Sequence, residues 1–423
     1  MKKIKIAIMG LGTVGGGTYD VLTRNRSVIS SGYGIDVEVK KILDKSPDRL
    51  TVKGAPEKLF ARSIDEIVGD PEISIVVETM GGLEPAGSFI IKALKSGKSV
   101  VTANKELLSK RLDELLSAAD EGGTGLYFEA SCVGGVPIIR TLTDSMQANR
   151  INELTGIING TTNYILTKMS ENGDTYEQAL AQAQQLGYAE ADPTADVDGF
   201  DAAYKLSILA SLAFHTRIPL SEIYREGISK ITPRDIAVGR SMGYALKLLA
   251  IGRRNADGTV QVRVHPTFVS MEHPLASVSG SFNAVFLKGD FVDEIMLYGR
   301  GAGAHPTASA IVSDVIYCAD RSKPLRADFG TTTAKVNGDF PSEYYLSLTV
   351  QDKPGMLSAI SGALGAHGIS INKMLQDNAE GGTAEIILFT HLTGEHAFLS
   401  AVKEIKSLDG VHAVNASVRV LGR

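Results

Sequence analysis

The first third of the chain alternates short apolar runs with segments of helical periodicity. The apolar runs have almost no polar residue at their centres, which is typical of strands buried on both faces of a parallel sheet. The pattern predicts strands at 2–9, 37–43, 73–78, 99–102 and 126–129, with helices at 12–24, 85–96 and 105–120. Repeated strand–helix units of this length predict an α/β fold, a doubly wound parallel sheet of the Rossmann type over residues 1–135.

The pattern becomes mixed after the Gly-Gly-Val-Pro turn at 134–137. A helix is predicted from this turn to about residue 147. The segments that follow predict helices at 176–186 and 200–214 and strands at 152–158, 260–269 and 283–289. Residues 136–320 are therefore predicted to form an α+β domain. Its apolar, helix-periodic segment 309–319 is expected to return to the first domain.

A segment rich in proline and glycine, 321–342, is predicted to link this domain to a last unit at 343–423. In that unit the pattern predicts strands at 345–350, 369–376, 383–390 and 411–420, and helices at 356–367 and 396–407. The resulting order βαββαβ is the ferredoxin-like pattern.

Composition narrows the class of protein. The 423 residues carry a net charge of -5 with scattered lysines and arginines, which argues against nucleic acid as a partner. Two cysteines, Cys132 and Cys318, are too few for a disulfide framework or a four-cysteine zinc site. Because the chain opens on a strand pattern and has no apolar stretch of about 18 residues, we expect a cytoplasmic protein that does not enter a membrane.

A glycine-rich turn, Gly-Leu-Gly-Thr-Val-Gly at 10–15, follows the first predicted strand and opens a helix. Gly10 permits the tight turn, Gly12 lets the backbone approach a pyrophosphate, and Gly15 allows the helix to pack closely on the strand. Free N–H groups at the helix N-terminus would receive the phosphate charge. The turn therefore predicts a dinucleotide site, with a glycine-rich turn that binds nothing as the alternative.

The residues after the second strand bear on the choice of dinucleotide. Asp44 could accept hydrogen bonds from the adenosine ribose and so favour NAD. Lys45, Arg49 and Lys53 could instead bind the 2′-phosphate of NADP, or they could belong to a solvated loop. The preference between NAD and NADP stays open.

An acidic segment at 186–205 places five carboxylates before and at the start of an apolar helix. Asp201 and Lys205 are spaced i, i+4 and share a helix face, although such a pair is often only a surface salt bridge. Lys105 follows the strand 99–102, at the sheet edge where ligands of open α/β sheets bind; a solvent-facing lysine is the alternative. A metal cage is disfavoured because EF-hand spacing is absent from its would-be ligands, Asp192, Asp196 and Asp198.

Four segments taken together resemble the homoserine dehydrogenases along the whole chain. They are GLGTVG at 10–15, VTANK at 101–105 with EASCVGGVPII at 129–139, NGTTNYIL with LGYAEADPTADVDGFDAAYK ending at 205, and GRGAGAHPTASA at 299–310. The resemblance implies a reversible NAD- or NADP-dependent reduction of L-aspartate 4-semialdehyde to L-homoserine, on the route to threonine, methionine and isoleucine. It also implies that residues 136–320 bind the substrate and form a dimer.

The same resemblance implies roles for individual residues. Lys205 would donate the proton, Glu190 and Asp201 would bind the amino-acid substrate, and Lys105 would lie against both substrate and cofactor. An ammonium group near the aldehyde oxygen would stabilise the developing alkoxide and deliver a proton to it. Besides Lys105, the implied cofactor site comprises Gly10, Leu11, Gly12, Thr13, Val14, Gly15, Thr79, Thr102, Gly187 and Gly303.

The resemblance further implies a monovalent cation, usually sodium, on the loop that starts at Glu129. This chain departs from the commoner EASVGGG or EASVAGG form of that loop through its Cys-Val pair at 132–133. Backbone carbonyl ligands do not depend on the identity of the side chain, so the cation remains the expectation. The implied ligand positions are Glu129, Cys132, Gly134 and Val136.

The last unit resembles the ACT domain, a module that binds amino acids. The resemblance rests on Asp-Lys-Pro-Gly-Met-Leu at 352–357 and Gly-Ile-Ser-Ile-Asn at 368–372. It implies feedback inhibition by L-threonine through Asp352, Gly355 and Asn372. The alternative is a domain that only holds a homodimer or homotetramer together. A non-catalytic amino-acid sensor and a related semialdehyde dehydrogenase are the competing hypotheses for the whole chain.

Overall fold

The computed structural model describes residues 1–320, 327–378 and 381–422. The N-terminal domain is built on a parallel sheet in the order β3-β2-β1-β4-β5-β6. Its strands are β1 (Lys2–Met9), β2 (Ile35–Leu43), β3 (Phe60–Ala61), β4 (Ile73–Glu78), β5 (Ser99–Thr102) and β6 (Leu126–Tyr127). The predicted doubly wound parallel sheet is confirmed. Its strand order reverses between β1 and β4, where ligands of such sheets bind.

Helices cover both faces of this sheet. They are α1 (Thr13–Arg24), α2 (Arg26–Tyr33), α3 (Asp48–Val52), α4 (Asp65–Val68), α5 (Ala86–Lys95) and α6 (Lys105–Gly122). Strand β1 shows why its apolar run is continuous: Ile6 and Ile8 pack in one core layer, whereas Ala7 and Met9 pack in the layer that contains α5 and α6. Helix α2 was not predicted because it is rich in serine and buries only Ile29.

The middle domain packs helices on a mixed sheet. Its strands are β7 (Ile151–Ile157), β8 (Tyr224–Arg225), β9 (Tyr244–Arg254), β10 (Val260–Ser270), β11 (Phe282–Gly289) and β12 (Asp293–Arg300). Its helices are α7 (Ile138–Arg140), α8 (Gly160–Asn172), α9 (Tyr176–Gln185), α10 (Thr194–Val197), α11 (Phe200–Phe214), α12 (Pro233–Ser241) and α13 (Ala304–Asp320).

The sequence prediction of this domain was incomplete. The helix predicted from the 134–137 turn to residue 147 is only α7, followed by a π-turn at Thr141–Ser145. Helix α8 was missed because it begins with β-branched threonines, which have low helix propensity. Strands β9 and β12 were also missed. The central residues of β9 are all buried, so it lacks the alternation that marks a half-exposed strand.

Helix α13 returns to the N-terminal domain, as predicted from its second half. Ile311 and Val315 join the core layer of β1 and α1. At its start, α13 lies so close to α1 that a Cβ atom on Gly17 would be 2.7 Å from the Ala304 carbonyl oxygen. The two domains are therefore joined by a packed helix as well as by the chain that precedes α7.

The C-terminal domain extends the sheet of the middle domain. Its elements are β13 (Pro341–Gln351), α14 (Met356–Ala366), β14 (Ile371–Asn378), β15 (Thr383–Thr390), β16 (Thr393–Gly394), α15 (Glu395–Lys406) and β17 (Val411–Leu421), which confirms the predicted βαββαβ order apart from the short β16. Strand β17 pairs in parallel with β10, with Phe268 opposite Val420. The sheet therefore continues across the domain boundary as β12-β11-β7-β9-β10-β17-β13-β15-β14.

The predicted linker at 321–342 lies partly outside the described residues, which omit 321–326. The described part is bonded to the middle domain. The Arg217 amide donates to the Thr332 carbonyl (2.8 Å), and Phe329 is buried in the core. The proline and glycine content of this part thus marks an irregular path that is nevertheless held in place.

In the part of the chain that the structure describes, no helix combines the length and the apolar character needed to cross a bilayer.

The close packing of α1 on α13 predicts the effect of Gly17→Leu. The new side chain would meet the Ala304 backbone, so we expect a lower thermal unfolding midpoint, with the loss of about 1–3 kcal/mol that is typical of overpacking. Gly32→Leu on α2 is the matched control because a Cβ there has no neighbour within 4 Å. Equal midpoints for the two variants, measured by circular dichroism, would contradict the tight α1–α13 contact.

Candidate active site at the domain interface

The glycine-rich turn has the geometry that its sequence predicts. Gly10 has a φ of +90°, and a Cβ on Gly15 would lie 1.9 Å from the Gly10 carbonyl oxygen, so neither position accepts a side chain. A Cβ on Gly12 would meet nothing within 4 Å. Helix α1 begins at Thr13 without a side-chain cap. An open face beside uncapped helix N–H groups suits a phosphate.

Hydroxyl groups on the neighbouring strand ends support this turn. Thr79, directly after β4, donates to the carbonyl of the first glycine of the turn (2.7 Å). Thr102, at the end of β5, donates to the Glu78 carboxylate (2.5 Å). Glu78 is fully buried and also accepts the amides of Met80 (2.7 Å) and Gly81 (3.0 Å), and burial raises its pKa. Sequence reasoning missed Glu78, although an acid that ends an apolar strand was a usable signal.

The charged residues after β2 are arranged around Asp44. The Asp44 carboxylate accepts the Leu11 amide (2.6 Å) and lies 3.5 Å from the Arg49 guanidinium. The Lys53 stem runs against Gly16 of α1, where a Cβ would lie 2.7 Å from it. Part of the acceptor capacity of Asp44 is therefore used within the protein, and two cationic side chains lie beside the turn.

Two lysines from different domains meet at one carboxylate. Lys205, on α11, donates to Asp201 Oδ2 (2.6 Å) and to the Ile158 carbonyl (2.8 Å). Lys105, the first residue of α6, lies 3.2 Å from Asp201 Oδ1. Asp201 and Lys205 are 6% and 8% exposed, so their pair is not a surface salt bridge. The Lys105 side chain is 41% exposed, so it reaches Asp201 from the open side of the cluster.

The charges of this cluster fix its ionisation. Burial disfavours the Asp201 carboxylate, but the charges of Lys205 and Lys105 outweigh burial and hold the pKa of Asp201 well below its usual value. The charge of Asp201 in turn raises the pKa of Lys105. Lys105 is therefore cationic and Asp201 anionic at neutral pH.

Asn159 binds two carboxylates of the acidic segment, and sequence reasoning did not predict this role. Its side-chain amide donates to Asp201 Oδ2 (2.9 Å) and to Asp196 Oδ1 (2.6 Å), and its oxygen caps α8 at the Thr162 amide. An asparagine before a Gly-Thr-Thr helix start was an N-cap signal. Asp196 is half-buried, and burial raises its pKa.

Two other predicted residues of the acidic segment lie at the surface. Glu190 and Gly187 are both exposed. The Glu190 backbone carbonyl accepts the side-chain amide of Gln184 (3.0 Å). Among the described residues, the Glu190 carboxylate makes no ion pair, so the structure does not bring it into contact with Lys205.

The loop that carries Glu190 is nevertheless tied to the start of α8. The Tyr188 carbonyl accepts the Thr161 hydroxyl (2.7 Å), two residues after Asn159. The rings of Tyr188 and Tyr164 also pack together, with centroids 5.0 Å apart. The exposed acid is therefore anchored close in sequence to the asparagine that holds Asp201.

The loop that follows β6 lies beneath the lysine cluster. Cys132 is fully buried with its sulfur 3.9 Å from the Lys205 carbonyl oxygen, and burial raises its pKa to about 12. The Glu129 carboxylate accepts the amides of Ile139 and Arg140 (both 2.8 Å). Because this carboxylate is committed to the start of α7, a cation on the loop would depend mainly on carbonyl oxygens.

The backbone of this loop has an unusual conformation that affects its carbonyl groups. Val133 and Gly134 have positive φ values of 57° and 52°, a strained conformation for valine. Among the described residues, the carbonyl oxygens of Cys132 and Gly134 accept no hydrogen bond, whereas that of Val136 accepts the Ile138 amide. Unpaired carbonyl oxygens in buried residues fit a hard cation.

This loop packs against the turn that begins α13. A Cβ on Gly134 would lie 2.4 Å from the Gly301 carbonyl oxygen, and Gly303 in the same turn has a φ of +117°. The Asp314 carboxylate, farther along α13, accepts the Glu129 amide (2.9 Å). The returning helix therefore holds both the loop beneath the lysines and the side of α1.

Within the described ranges, no group of three or more histidine, cysteine, aspartate or glutamate residues is placed to hold a metal ion.

The C-terminal domain has a cavity at its first strand–helix turn. The cavity has a volume of about 320 Å³, and its lining includes Asp352, Gly355 and Gln376. Gly355 has a φ of +94° and forms the N-cap of α14. Asn372 lies on the edge strand β14, where it is exposed and does not line the cavity.

Comparison with known proteins agrees with this architecture. Family models match residues 10–129 (homoserine dehydrogenase, NAD binding domain), 137–316 (homoserine dehydrogenase) and 344–410 (ACT domain). Homoserine dehydrogenases from Synechocystis sp. and Bacillus subtilis are 41% and 38% identical, with 99% and 100% of this chain and 99% of each relative covered.

Solved structures extend the comparison. A homoserine dehydrogenase structure from Thiobacillus denitrificans superposes with a TM-score of 0.93 at 39% identity, covering 100% of this chain and 99% of that one. A hyperthermophilic archaeal homoserine dehydrogenase in complex with NADPH gives a TM-score of 0.64 at 29% identity, covering 77% of this chain and 100% of that one. Since the matched domains and the full-length relatives agree, the chain belongs to the homoserine dehydrogenase family.

Proposed function

We propose that this protein catalyses the reversible NAD- or NADP-dependent interconversion of L-aspartate 4-semialdehyde and L-homoserine, on the route to threonine, methionine and isoleucine. The observation that carries the proposal is the buried Lys205–Asp201–Lys105 cluster. It lies where the middle domain meets the carboxyl edge of the Rossmann sheet, one strand away from Thr79 and two strands away from the glycine-rich turn. An enzyme of this family would act in the cytoplasm.

The residues present fit a nicotinamide dinucleotide. Gly12 has an open face, the first turn of α1 is uncapped, and the archaeal relative was solved with NADPH. The bound cofactor would supply the hydride of the reduction. The residues that would hold it are those of the glycine-rich turn, with Thr79, Thr102 and Lys105 at or just after the strand ends, Gly187 in the acidic segment and Gly303 before α13.

The protein's own part in the reaction is proton transfer and charge stabilisation. In the reducing direction negative charge develops on the aldehyde oxygen, and Lys205 would donate the proton that converts this oxygen to a hydroxyl. Asp201 orients Lys205 through a 2.6 Å hydrogen bond, and the cationic Lys105 would stabilise the same oxygen. Glu190, on the loop anchored at Thr161, would bind the ammonium group of the substrate.

A sodium ion would bind the loop beneath Lys205. The unpaired carbonyl oxygens of Cys132 and Gly134, with Val136 and Glu129 nearby, support this assignment. The role of the ion would be structural, since it would hold the strained loop against the turn of α13 and so fix the floor of the lysine cluster.

The proton-donor assignment predicts that Lys205→Ala loses most of its activity. We expect kcat for reduction of aspartate semialdehyde to fall by about 10²–10⁴-fold, the usual contribution of a general acid. Lys205→Arg should be nearly as slow because a guanidinium does not release its proton, although it keeps the charge. The assay follows NADPH and NADH absorbance.

The control for this prediction is Lys110→Ala, which removes an exposed lysine of α6 paired with Glu106. It should keep wild-type kcat. Wild-type kcat in Lys205→Ala would refute the assigned proton donor. A wild-type protein that turns over neither cofactor with aspartate semialdehyde or homoserine would refute the proposed enzyme.

The arrangement around Asp44 predicts that Arg49 favours the phosphorylated cofactor. Arg49→Ala should lower kcat/KM for NADPH about tenfold, or roughly 1.4 kcal/mol, because a charge-assisted contact to the 2′-phosphate is lost. The value for NADH should change little, and Arg62→Ala, which removes another exposed arginine, should change neither. An equal loss with both cofactors would instead mean that Arg49 acts only by holding Asp44 and the turn.

The C-terminal cavity supports a regulatory role for the ACT domain. L-Threonine would bind beside Asp352 and Gly355, with Asn372 reached from a partner across the exposed edge strand β14. The same edge would contribute to a homodimer or homotetramer, because edge strands are ready to pair with a second chain.

This role predicts that Asp352→Ala weakens inhibition without changing catalysis. The threonine concentration for half-inhibition should rise about tenfold or more, as for a lost charge-assisted hydrogen bond. Basal kcat should stay at the wild-type value, and Glu404→Ala on α15 should keep wild-type inhibition. Wild-type enzyme that saturating threonine does not inhibit would leave the domain with an assembly role only.

A further inference from the structure

A second cavity lies between the middle and C-terminal domains and is lined by none of the residues assigned above. Its volume is about 320 Å³. Arg263, His265 and Thr267 alternate along β10, so they face the same side of the sheet and line one part of the wall. Ser342 of β13 and Arg419 of β17 line another part. We call it the Arg263 cavity.

Two of the arginines in its lining have carboxylate partners. Arg253 lies 2.9 Å from Glu153. Arg419 is paired with the buried Glu395 through its Nε (3.0 Å) and with Glu226 through Nη1 (3.2 Å). The charges of both arginines are therefore compensated within the protein.

Arg263 is the exception. It is 4% exposed, its Nε has no hydrogen-bond partner, and Nη1 has only a 3.4 Å contact to Gln261. Its guanidinium stacks on Phe340 at 3.4 Å from the ring centroid. Burial and the neighbouring arginines lower its pKa to about 9, so it remains cationic at neutral pH. Among the described residues no carboxylate lies within ion-pair distance of it, which leaves a buried cation that is costly unless an anion joins it.

His265 adds a second unsatisfied group to the same wall. It is 1% exposed, and its Nδ1 contacts the Thr267 hydroxyl (2.9 Å) and the Pro266 carbonyl (3.0 Å), whereas Nε2 has no partner. The buried polar atoms of folded proteins are nearly always paired. Because the Pro266 carbonyl can only accept, Nδ1 donates to it, and Nε2 of the neutral ring is an acceptor. The cavity therefore has an unpaired donor, Arg263 Nε, and an unpaired acceptor, His265 Nε2.

We propose that the Arg263 cavity binds a small oxyanion, a carboxylate or a phosphate, whose oxygens accept hydrogen bonds from Arg263. A ligand that also carries a donor, such as the hydroxyl of hydrogen phosphate or an ammonium group, would donate to His265 Nε2. Glu343, half-buried, is the acid in the lining, and it favours a ligand with one compact anionic group or with a cationic group beside it. Planar guanidinium donors suit two oxygens of such an anion.

The cavity lies between two domains, so a ligand bound there would affect how they are joined. Strand β10 pairs with β17, and Ser342 belongs to β13, which pairs with β17 on its other side. An anion bound to Arg263 would therefore lie on the seam where the middle and C-terminal domains share one sheet. Its binding would strengthen that seam, which adds to the proposed catalytic function without depending on it.

The test is a titration of the full-length protein with inorganic phosphate, acetate or glycine, at constant ionic strength set with chloride. NADP⁺ is kept at a saturating level so that phosphate does not bind at the glycine-rich turn. Calorimetric binding and the thermal unfolding midpoint are measured for wild type, Arg263→Gln and the control Arg24→Gln, which alters an exposed arginine of α1 paired with Asp20.

We expect wild type and Arg24→Gln to bind at least one of the three probes with a saturable rise in the midpoint. Arg263→Gln should bind that probe about tenfold more weakly or not at all. Binding of phosphate alone would identify a phosphate site. Binding of acetate would identify a carboxylate site. Tighter binding of glycine than of acetate would indicate a ligand whose cationic group also contacts Glu343.

A second variant keeps the test informative if Arg263→Gln does not fold. Arg263→Met should have a higher midpoint than wild type in chloride alone, because it removes the unpaired cation, and its midpoint should not respond to the probes. Equal binding by all variants would place the ion elsewhere and overturn the proposal. The proposal would also be overturned if the wild type bound none of the three probes.

Discussion

The buried charge of Asp201 is the interaction on which the rest of the site depends. A carboxylate this deeply buried is stable as an anion only because Lys205, Lys105 and Asn159 surround it. Each partner comes from a different element, α11, α6 and the loop before α8. Removing the carboxylate would leave two ammonium groups close together without a counter-charge, so this one side chain fixes the relative positions of three elements.

The same requirement explains how the domains are joined. Lys105 belongs to the Rossmann domain and Lys205 to the middle domain, so the cluster forms only if the domain interface is well defined. Helix α13 fixes the domain interface, since it packs on α1 at Gly17 and contacts the loop beneath Lys205 through Asp314. The glycines of α1 and of the turn before α13 are thus needed for the close approach of backbones.

The C-terminal domain continues the β-sheet of the middle domain. Because β17 pairs with β10, the last domain is joined to the middle domain by a continuous hydrogen-bonded sheet. The Arg263 cavity lies at this seam, and among the described residues its buried guanidinium has no carboxylate partner. Sensing by the ACT domain and binding at the seam would both act on the strands that support α11, which packs against β9 and β10.

The sequence by itself determined the features that depend on neighbours in the chain. The alternation of apolar runs gave the Rossmann sheet, the glycine spacing gave the turn, and the i, i+4 spacing paired Asp201 with Lys205. The tertiary structure alone decided which distant residues meet. It placed Lys105 on Asp201, used Asn159 as the bridge, put Glu190 at the surface and joined two sheets through β10 and β17. These outcomes depend on packing between elements far apart in sequence, and local periodicity carries no information about such contacts.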